Sequence, residues 1–407
     1  MTVKPYCKPE LLAPAGDLLR CKTAIRYGAD AVYIGGKHYS LRSRASNFDL
    51  HDIQEACAFA KAYGASIHVT VNEIPHDTDF EGLEEYLKAL EEAGVKAIIA
   101  ASPYIMRLCH KTAPKLEVHC STQLSVTNSD AASAIAKMTG ADRIVLAREC
   151  TLEEVRAIRK RCDTPLEVFI HGGMCVNCSG RCTLSNRMTL RDANRGGCAQ
   201  SCRWHYDVFD QGMKRTTDDT LFTLGSKDLC ALDVLEELMK TGIASFKIEG
   251  RMKTEYYVAS VVSAYRHLID ELYETDGPLS DERLAFHARE IMAAENRDTC
   301  AGNYYGPGGA ESIIYHAHSD ADVNHAFLGT VVSFEQGELV LETRNPIDPG
   351  DRIEVLSPGM ENRVFVCASM KDEEGNLMEK SRVPMRLVHM PVPFEVRKGD
   401  LLRKELS

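Results

Sequence analysis

The 407-residue sequence predicts an α/β fold, a TIM-like (β/α)8 barrel carrying a cysteine-rich insertion after strand seven and followed by a small C-terminal all-β barrel domain. Three observations carry the prediction. Eight short runs rich in β-branched residues alternate with helical stretches, several of those stretches end in glycine just before the next run, and short, closely spaced strand patterns take over from about residue 326. Strands that alternate with helices imply parallel βαβ units, and eight units favour a closed barrel over a doubly wound open sheet. The boundaries expected are 1–277 for the barrel, with the insertion at about 172–244, then 278–325 as a linker of helix and loop, and 326–407 as the β domain.

In order the strand candidates are ELLAPAG, AVYIGG, SIHVTVN, AIIAAS, LEVHCS, RIVLARE, LEVFIHG and SFKIEG. Gly28, Gly64, Gly94, Gly140 and Gly242 stand where a left-handed residue closes a helix and satisfies its last carbonyls. The seventh strand leads into a long cysteine-bearing stretch, which puts the insertion on the barrel's C-terminal face, where such enzymes keep their chemistry. After the eighth, TEYYVASVVSAYRHLIDELYE has the apolar spacing of the last barrel helix. In the tail, FLGTVVSF, ELVLETR, RIEVLSP, RVFVCAS, MRLVHMP and FEVRKGDLLRKE read as strands separated by Gly, Pro, Asn and Asp.

A balance of 44% hydrophobic and 26% charged residues is that of a globular protein. The net charge of -11 argues against a protein that coats nucleic acid through a general excess of cations, while leaving room for a local basic patch. No apolar run approaches the roughly 18 residues of a membrane span, and the start lacks a leader-like apolar segment, so a cytoplasmic location without membrane contact is expected. Fifteen cysteines in that setting point to reduced thiols, metal ligation or catalysis, not disulfides.

The strongest local signal is HGGMCVNCSGRCTLSNRMTLRDANRGGCAQSCRW, which gathers Cys175, Cys178, Cys182, Cys198 and Cys202 among Gly, Asn, Ser and Arg. Such company is too polar for the thiols to serve as core residues. A four-cysteine zinc site usually shows two C-x2-C pairs, whereas here the pairs are C-x6-C and C-x3-C once Cys178 is set aside, which favours iron-sulfur over zinc. Arg181, Arg187, Arg191, Arg195 and Arg203 share the segment with one acid, Asp192, and with Trp204 and Tyr206. Two uses are open: gripping phosphates and an unstacked base, or balancing the charge of a cluster. The other cysteines are scattered, as packing residues are.

Polar side chains at the C-terminal ends of barrel strands converge on one mouth. The candidates are Tyr33 and Arg42, Asn72, His119 and Gln123, Arg148 and Glu149, Glu167 and His171, and Lys247, Glu249 and Arg251. As a group they describe a pocket with several cations, suited to a small anionic metabolite, with internal ion pairing as the competing use. HExxH, GxSxG, Walker A and GxGxxG are all missing, which removes the common zinc protease, serine hydrolase and nucleotide-binding readings.

ELLAPAG, ADAVYIGG, YSLRSRASNF, HCSTQLSVTN, VLARE, EVFIHGGMCVNCSGRC, GGCAQSCRW and KIEGRMK, taken in order over about residues 10–275, resemble the collagenase-like peptidase family U-32. The tail is similar to the C-terminal domain of its bacterial members. The resemblance implies a 4Fe-4S cluster on Cys175, Cys182, Cys198 and Cys202, with Cys178 outside the ligand set. It also implies oxygen-independent RNA hydroxylation, closest to the members that hydroxylate tRNA wobble uridine at C5 with prephenate as the donor-related carboxylate. A shorter family relative as hetero-oligomer partner is implied too. On this reading Lys247, Glu249, Arg251 and His171 serve catalysis, and Tyr33, Arg42, His119, Gln123, Arg148, Glu149 and Glu167 bind substrate. Two other classes stay open: a peptidase, as the family name says, for which no local nucleophile and base are visible, and a non-catalytic iron-sulfur scaffold that binds RNA or a partner.

Overall fold

Eight parallel strands close on themselves in the computed structural model, which describes residues 4, 6–41, 46–217, 222–275, 277–294, 297–314 and 324–406. They are β1 (Glu10–Pro14), β2 (Ala31–Gly35), β3 (Ser66–Val71), β4 (Ala97–Ala100), β5 (Glu117–Cys120), β6 (Arg143–Val145), β7 (Leu166–Gly172) and β8 (Ser245–Ile248). Each pairs with the next, and β8 pairs with both β1 and β7, with Glu10 and Glu167 on either side of Ser245. All eight strands read from the sequence are present. Around them stand α1 (Leu18–Arg26), α2 (Leu50–Ala62), α3 (Leu83–Glu92), α4 (Pro103–Thr112), α5 (Ser129–Thr139) and α6 (Leu152–Arg161). Beyond the insertion's short α7 (Leu184–Thr189) come α8 (Leu235–Lys240) and α9 (Glu255–Glu274).

Local chemistry sets these helices. In α6, Thr151 and Glu154 form a capping box, Leu152, Val155 and Ile158 make the buried stripe, and Arg159, Lys160 and Arg161 sit at the negative end of the dipole. The five glycines expected to close helices all have left-handed backbone, from φ 72° at Gly64 to 105° at Gly28. α9 is buried along most of its length, from Tyr256 to Leu272, because it lies under both the barrel and the C-terminal domain.

Barrel interiors are usually layers of branched aliphatic residues. Here one side is apolar, with Leu12, Ala31, Tyr33 and Ile99, and the rest is polar. Glu167, fully buried, accepts from Lys247 Nζ at 2.8 Å and from Arg143 Nη1 at 3.2 Å. Arg143 continues to Glu10 Oε1 at 2.6 Å, which also takes the Ser245 hydroxyl at 2.8 Å. The rings of His68 and His119 meet edge to face, centroids 4.9 Å apart, and His119 Nε2 lies 3.3 Å from the Glu117 carboxylate. Burial pushes the His68 imidazole well below its usual range and keeps it neutral. Burial alone would raise the Glu167 carboxyl, but Lys247 and Arg143 outweigh it and hold the group at about 2.

The linker region holds α10 (Asp281–Met292) and a two-residue strand, Thr299–Cys300, that joins the barrel side of the molecule. The tail is an antiparallel sheet of β9 (His325–Glu335), β10 (Glu338–Thr343), β11 (Arg352–Leu356), β12 (Arg363–Val366), β13 (Leu387–Pro391) and β14 (Leu401–Glu405). Their order is β12-β11-β14-β9-β10-β13, extended by Met370–Lys371 and Leu377–Met378. Among the described residues its two ends do not pair, so the C-terminal barrel is a half-barrel, with Leu328, Leu341, Ile353, Val355 and Met390 in its core. Arg403 of β14, fully buried, docks it on the barrel domain by reaching Glu290 of α10 at 2.9 Å and Glu354 of β11 at 2.8 Å. Tyr256 stacks on Phe327 at 5.0 Å across the same junction.

Candidate active site at the barrel mouth

The insertion leaves β7 at Gly172, where φ is 100° and a β-carbon would collide with the Glu249 carbonyl. Only glycine lets the two strand ends lie this close. From there the chain is fastened to the barrel at three points. Glu149, after β6, accepts from Ser179 N at 2.7 Å and from its hydroxyl at 3.2 Å. Arg195 reaches the loop after β3, with Asp79 Oδ1 at 2.9 Å, Glu73 Oε1 at 3.2 Å and the Ile74 carbonyl at 3.1 Å. Arg203 Nη2 lies 3.3 Å from Asp228 Oδ1. Asp228 opens a short strand, Asp228–Cys230, that pairs antiparallel with the end of β7 and parallel with Thr299–Cys300. Its other oxygen faces Lys253 at 3.6 Å and Arg297 at 3.7 Å.

Within this frame Cys182 is buried, Cys175 and Cys202 are half-buried, and Cys198 is exposed. The four thiols share one electrostatic neighbourhood. Burial first, and then the nearby thiols Cys182 and Cys198, push the Cys175 thiol up; Cys202 is raised by burial and by Cys175, Cys198 and Cys182. Cys178 is exposed, and its sulfur lies 3.8 Å from the Ser179 hydroxyl. Among the described residues the only three potential ligand atoms found within 4.8 Å of one another belong to Asp49, His51 and Asp52, so no three of the cysteine sulfurs stand that close. Asn194 braces the buried member, accepting from Cys182 N at 3.3 Å and donating to its carbonyl at 3.1 Å.

The structure brings Arg148 and Glu249 together beside the insertion. Arg148 Nη2 lies 3.3 Å from Glu249 Oε2, Nη1 donates to the Gly173 carbonyl, and the guanidinium stacks on the Phe169 ring at 3.8 Å. Asn72 Nδ2 donates to Gln123 Oε1 at 3.0 Å, and Ser121 donates to the same oxygen at 3.0 Å. With both acceptor positions used, the buried amide's orientation is fixed. Arg251 is 3% exposed and grips the loop after β2 through the Ser40 hydroxyl at 2.8 Å and Asn47 Oδ1 at 2.5 Å, with Thr70 of β3 at 3.3 Å. A β-carbon at Gly35 would strike that guanidinium.

Other expected site residues lie elsewhere. Lys247, Glu167 and His119 belong to the polar barrel interior, with Lys247 Nζ also 4.6 Å from the centre of the Tyr33 ring. Tyr33 donates to the Ile248 carbonyl at 3.0 Å. His171 is buried and turned toward α9, with Nδ1 3.3 Å from the Tyr265 hydroxyl, which in turn lies 3.7 Å from Cys230 Sγ. Arg42 lies outside the described residues. Sequence reasoning missed Asp228, Lys253 and Asn194, and also Asn303, whose amide donates to the Arg148 carbonyl at 3.0 Å from a segment read as linker. Of the five arginines in the insertion, Arg195 and Arg203 are committed to anchoring it, and Arg191 donates to the Cys198 carbonyl at 3.1 Å; Arg181 and Arg187 are exposed.

Comparison with known proteins gives two family matches in chain order: Peptidase family U32 over residues 16–314 and Peptidase family U32 C-terminal domain over residues 323–403. The chain is 42% identical to tRNA hydroxylation protein P1 of Bacillus subtilis, over 98% of this chain and 95% of that protein. It is 41% identical to the 23S rRNA 5-hydroxycytidine C2501 synthase of Escherichia coli, over 69% of this chain and 42% of that longer protein. A protein named collagenase from Porphyromonas gingivalis is 32% identical, with 73% of each chain covered. None of the described helices is long and apolar enough to cross a membrane. The cysteine insertion, the barrel after its first strand and nearly all of the tail thus fall inside matched segments, and the chain belongs to Peptidase family U32.

Proposed function

We infer that this protein is a cytoplasmic RNA-modifying enzyme that hydroxylates tRNA uridine at C5, at the wobble position, with a 4Fe-4S cluster and a prephenate-like carboxylate as co-substrate. The observation that carries the reading is the likeness to tRNA hydroxylation protein P1, which runs through nearly the whole of both chains and so includes barrel, insertion and tail. The rRNA hydroxycytidine synthase extends the theme to a second RNA pyrimidine.

The donor set supports a polynuclear cluster over a single zinc ion. The four thiols fall at C-x6-C and C-x3-C, a spacing unlike the paired C-x2-C of four-cysteine zinc sites, and Cys175, Cys182, Cys198 and Cys202 would hold the cluster. Such a cluster supplies one-electron transfer. Arg148 and Glu249 would meet a substrate at the mouth beside it, with Arg148 oriented by Phe169 and Gly173 to face a carboxylate. Arg181 and Arg187 would face RNA phosphates, and a shorter family relative is a candidate partner.

Nucleoside mass spectrometry of tRNA from a deletion strain tests the reading. Loss of hydroxyuridine, restored by the wild-type chain but not by Cys182→Ser, is the expected result; unchanged tRNA in the deletion strain would sink it. Cleavage of denatured collagen by protein stripped of metal would instead favour the hydrolase implied by the Porphyromonas relative's name.

A further inference from the structure

The cysteine insertion displays a leucine for which the fold has no use. Leu190, at the C-terminal end of α7, is 94% exposed, the highest value among the large apolar side chains described. Its backbone is left-handed, φ 57° and ψ 22°, a conformation that costs a leucine energy and that glycine or asparagine adopts freely at a helix end. Neither packing nor backbone geometry therefore asks for leucine here. Strain of this kind is concentrated in the insertion, which also holds Ser179 at φ 53° and Gln200 at φ 57°.

What surrounds Leu190 points to its occupant. Met188 is 46% exposed beside it, and Arg187 is exposed, so an apolar tip is flanked by cations in a protein of net charge -11. The tip is also rigid. Arg191 donates to the Cys198 carbonyl, while the Ser185 hydroxyl bonds the Arg191 carbonyl at 3.0 Å and accepts from Ala199 N at 3.0 Å. These bonds tie the leucine's neighbours to the segment that carries the third and fourth cysteines. An apolar protein groove would match the tip alone; an anionic bilayer or a polyanion with unstackable bases matches the tip and the arginine together, and of these two the likeness to RNA-modifying relatives favours RNA.

We propose that Leu190 is a wedge that enters the base stack of a structured RNA and holds open the gap left when the target nucleotide swings toward the barrel mouth. Enzymes that act on a ring carbon of a stacked base must extrude it, and apolar wedges are a common means of holding the vacated space. The proposal rests on the RNA reading above. It makes Leu190 a positioning residue whose effect is on base unstacking, not on phosphate contact.

The test uses the full chain reconstituted with iron and sulfide, and a stem–loop RNA carrying 2-aminopurine next to a loop uridine. Wild type should bind and raise the 2-aminopurine fluorescence. Leu190→Asn, which suits the left-handed backbone, should fold with an unchanged or higher thermal midpoint and bind within about threefold of wild type, but lose the fluorescence rise and slow modification by about tenfold or more. Leu190→Met should retain both. A full fluorescence rise with Leu190→Asn overturns the wedge and leaves the RNA reading standing. Loss of binding by a folded Leu190→Asn assigns the residue to affinity and also overturns the wedge. Failure of wild type to bind the RNA overturns both.

Discussion

Arg203 and Asp228 join the residue after the last clustered cysteine to a fully buried carboxylate, 3.3 Å away on a strand that pairs with the end of β7. Lys253 and Arg297 face the same carboxylate, so one acid orders three cations from three parts of the chain. Asp228→Asn keeps the shape and removes the charge. Breaking a buried ionic group of this kind costs about 2–4 kcal/mol. Urea unfolding should show a stability loss of that order, read as a lower midpoint at unchanged slope, and the variant should retain less iron than wild type after reconstitution, because Arg203 no longer fixes Cys202.

The cysteines divide by role. Cys182→Ser removes a buried sulfur braced on both sides by Asn194 and should leave iron and sulfide well below the wild-type content. Cys178→Ser changes an exposed thiol outside the ligand set that the family resemblance implies and should leave both unchanged. Equal loss from both variants, measured by metal analysis after anaerobic reconstitution, would reassign the ligand set.

Acid stability follows from the barrel interior. Glu167 is held at about 2 in the folded chain against an ordinary 4.5. A depressed folded value means that its stabilising contribution is fully present above about pH 4.5 and is lost as pH falls through about 2. Glu117, held at about 2 chiefly by His119, acts in the same direction. The thermal midpoint should therefore fall steeply between pH 4.5 and 2. Glu167→Gln should lower the midpoint at neutral pH, by about 3 kcal/mol in stability, and flatten that part of the pH profile.

Arg403 is the buried cation of the domain junction. Arg403→Ala strands Glu290 and Glu354 at the junction of the two domains, a change expected to cost about 3–5 kcal/mol. Limited proteolysis should then cut near the junction at protease levels that leave wild type intact. Conversion of the cluster to an apolar trio, with Glu290 and Glu354 replaced as well, should recover much of the loss.

Much of the fold was legible because it rests on local signals. Strands such as AVYIG and SIHVTV declare themselves by composition, and Gly64 or Gly242 by the helix end that needs a left-handed residue. The insertion was legible from its thiols. What the sequence did not reveal is which way a side chain faces once a strand closes into a ring. His119, Glu167 and Lys247 read as mouth residues but lie within the barrel, and His171 turns outward to α9. Asp228 gave no signal in the sequence, because its three cationic partners, Arg203, Lys253 and Arg297, are distant along the chain. The arginine run was read as one feature, yet Arg195 and Arg203 are spent on docking while Arg181 and Arg187 stay exposed.

The insertion's three fastenings, Ser179 on Glu149, Arg195 on Asp79 and Arg203 on Asp228, reach the loops after β3 and β6 and the short strand paired with the end of β7. The segment that carries the thiols therefore borrows its shape from strands far apart in the sequence. Were a cluster bound there, its colour would double as a gauge of the scaffold: bleaching would signal that the ring beneath it had loosened.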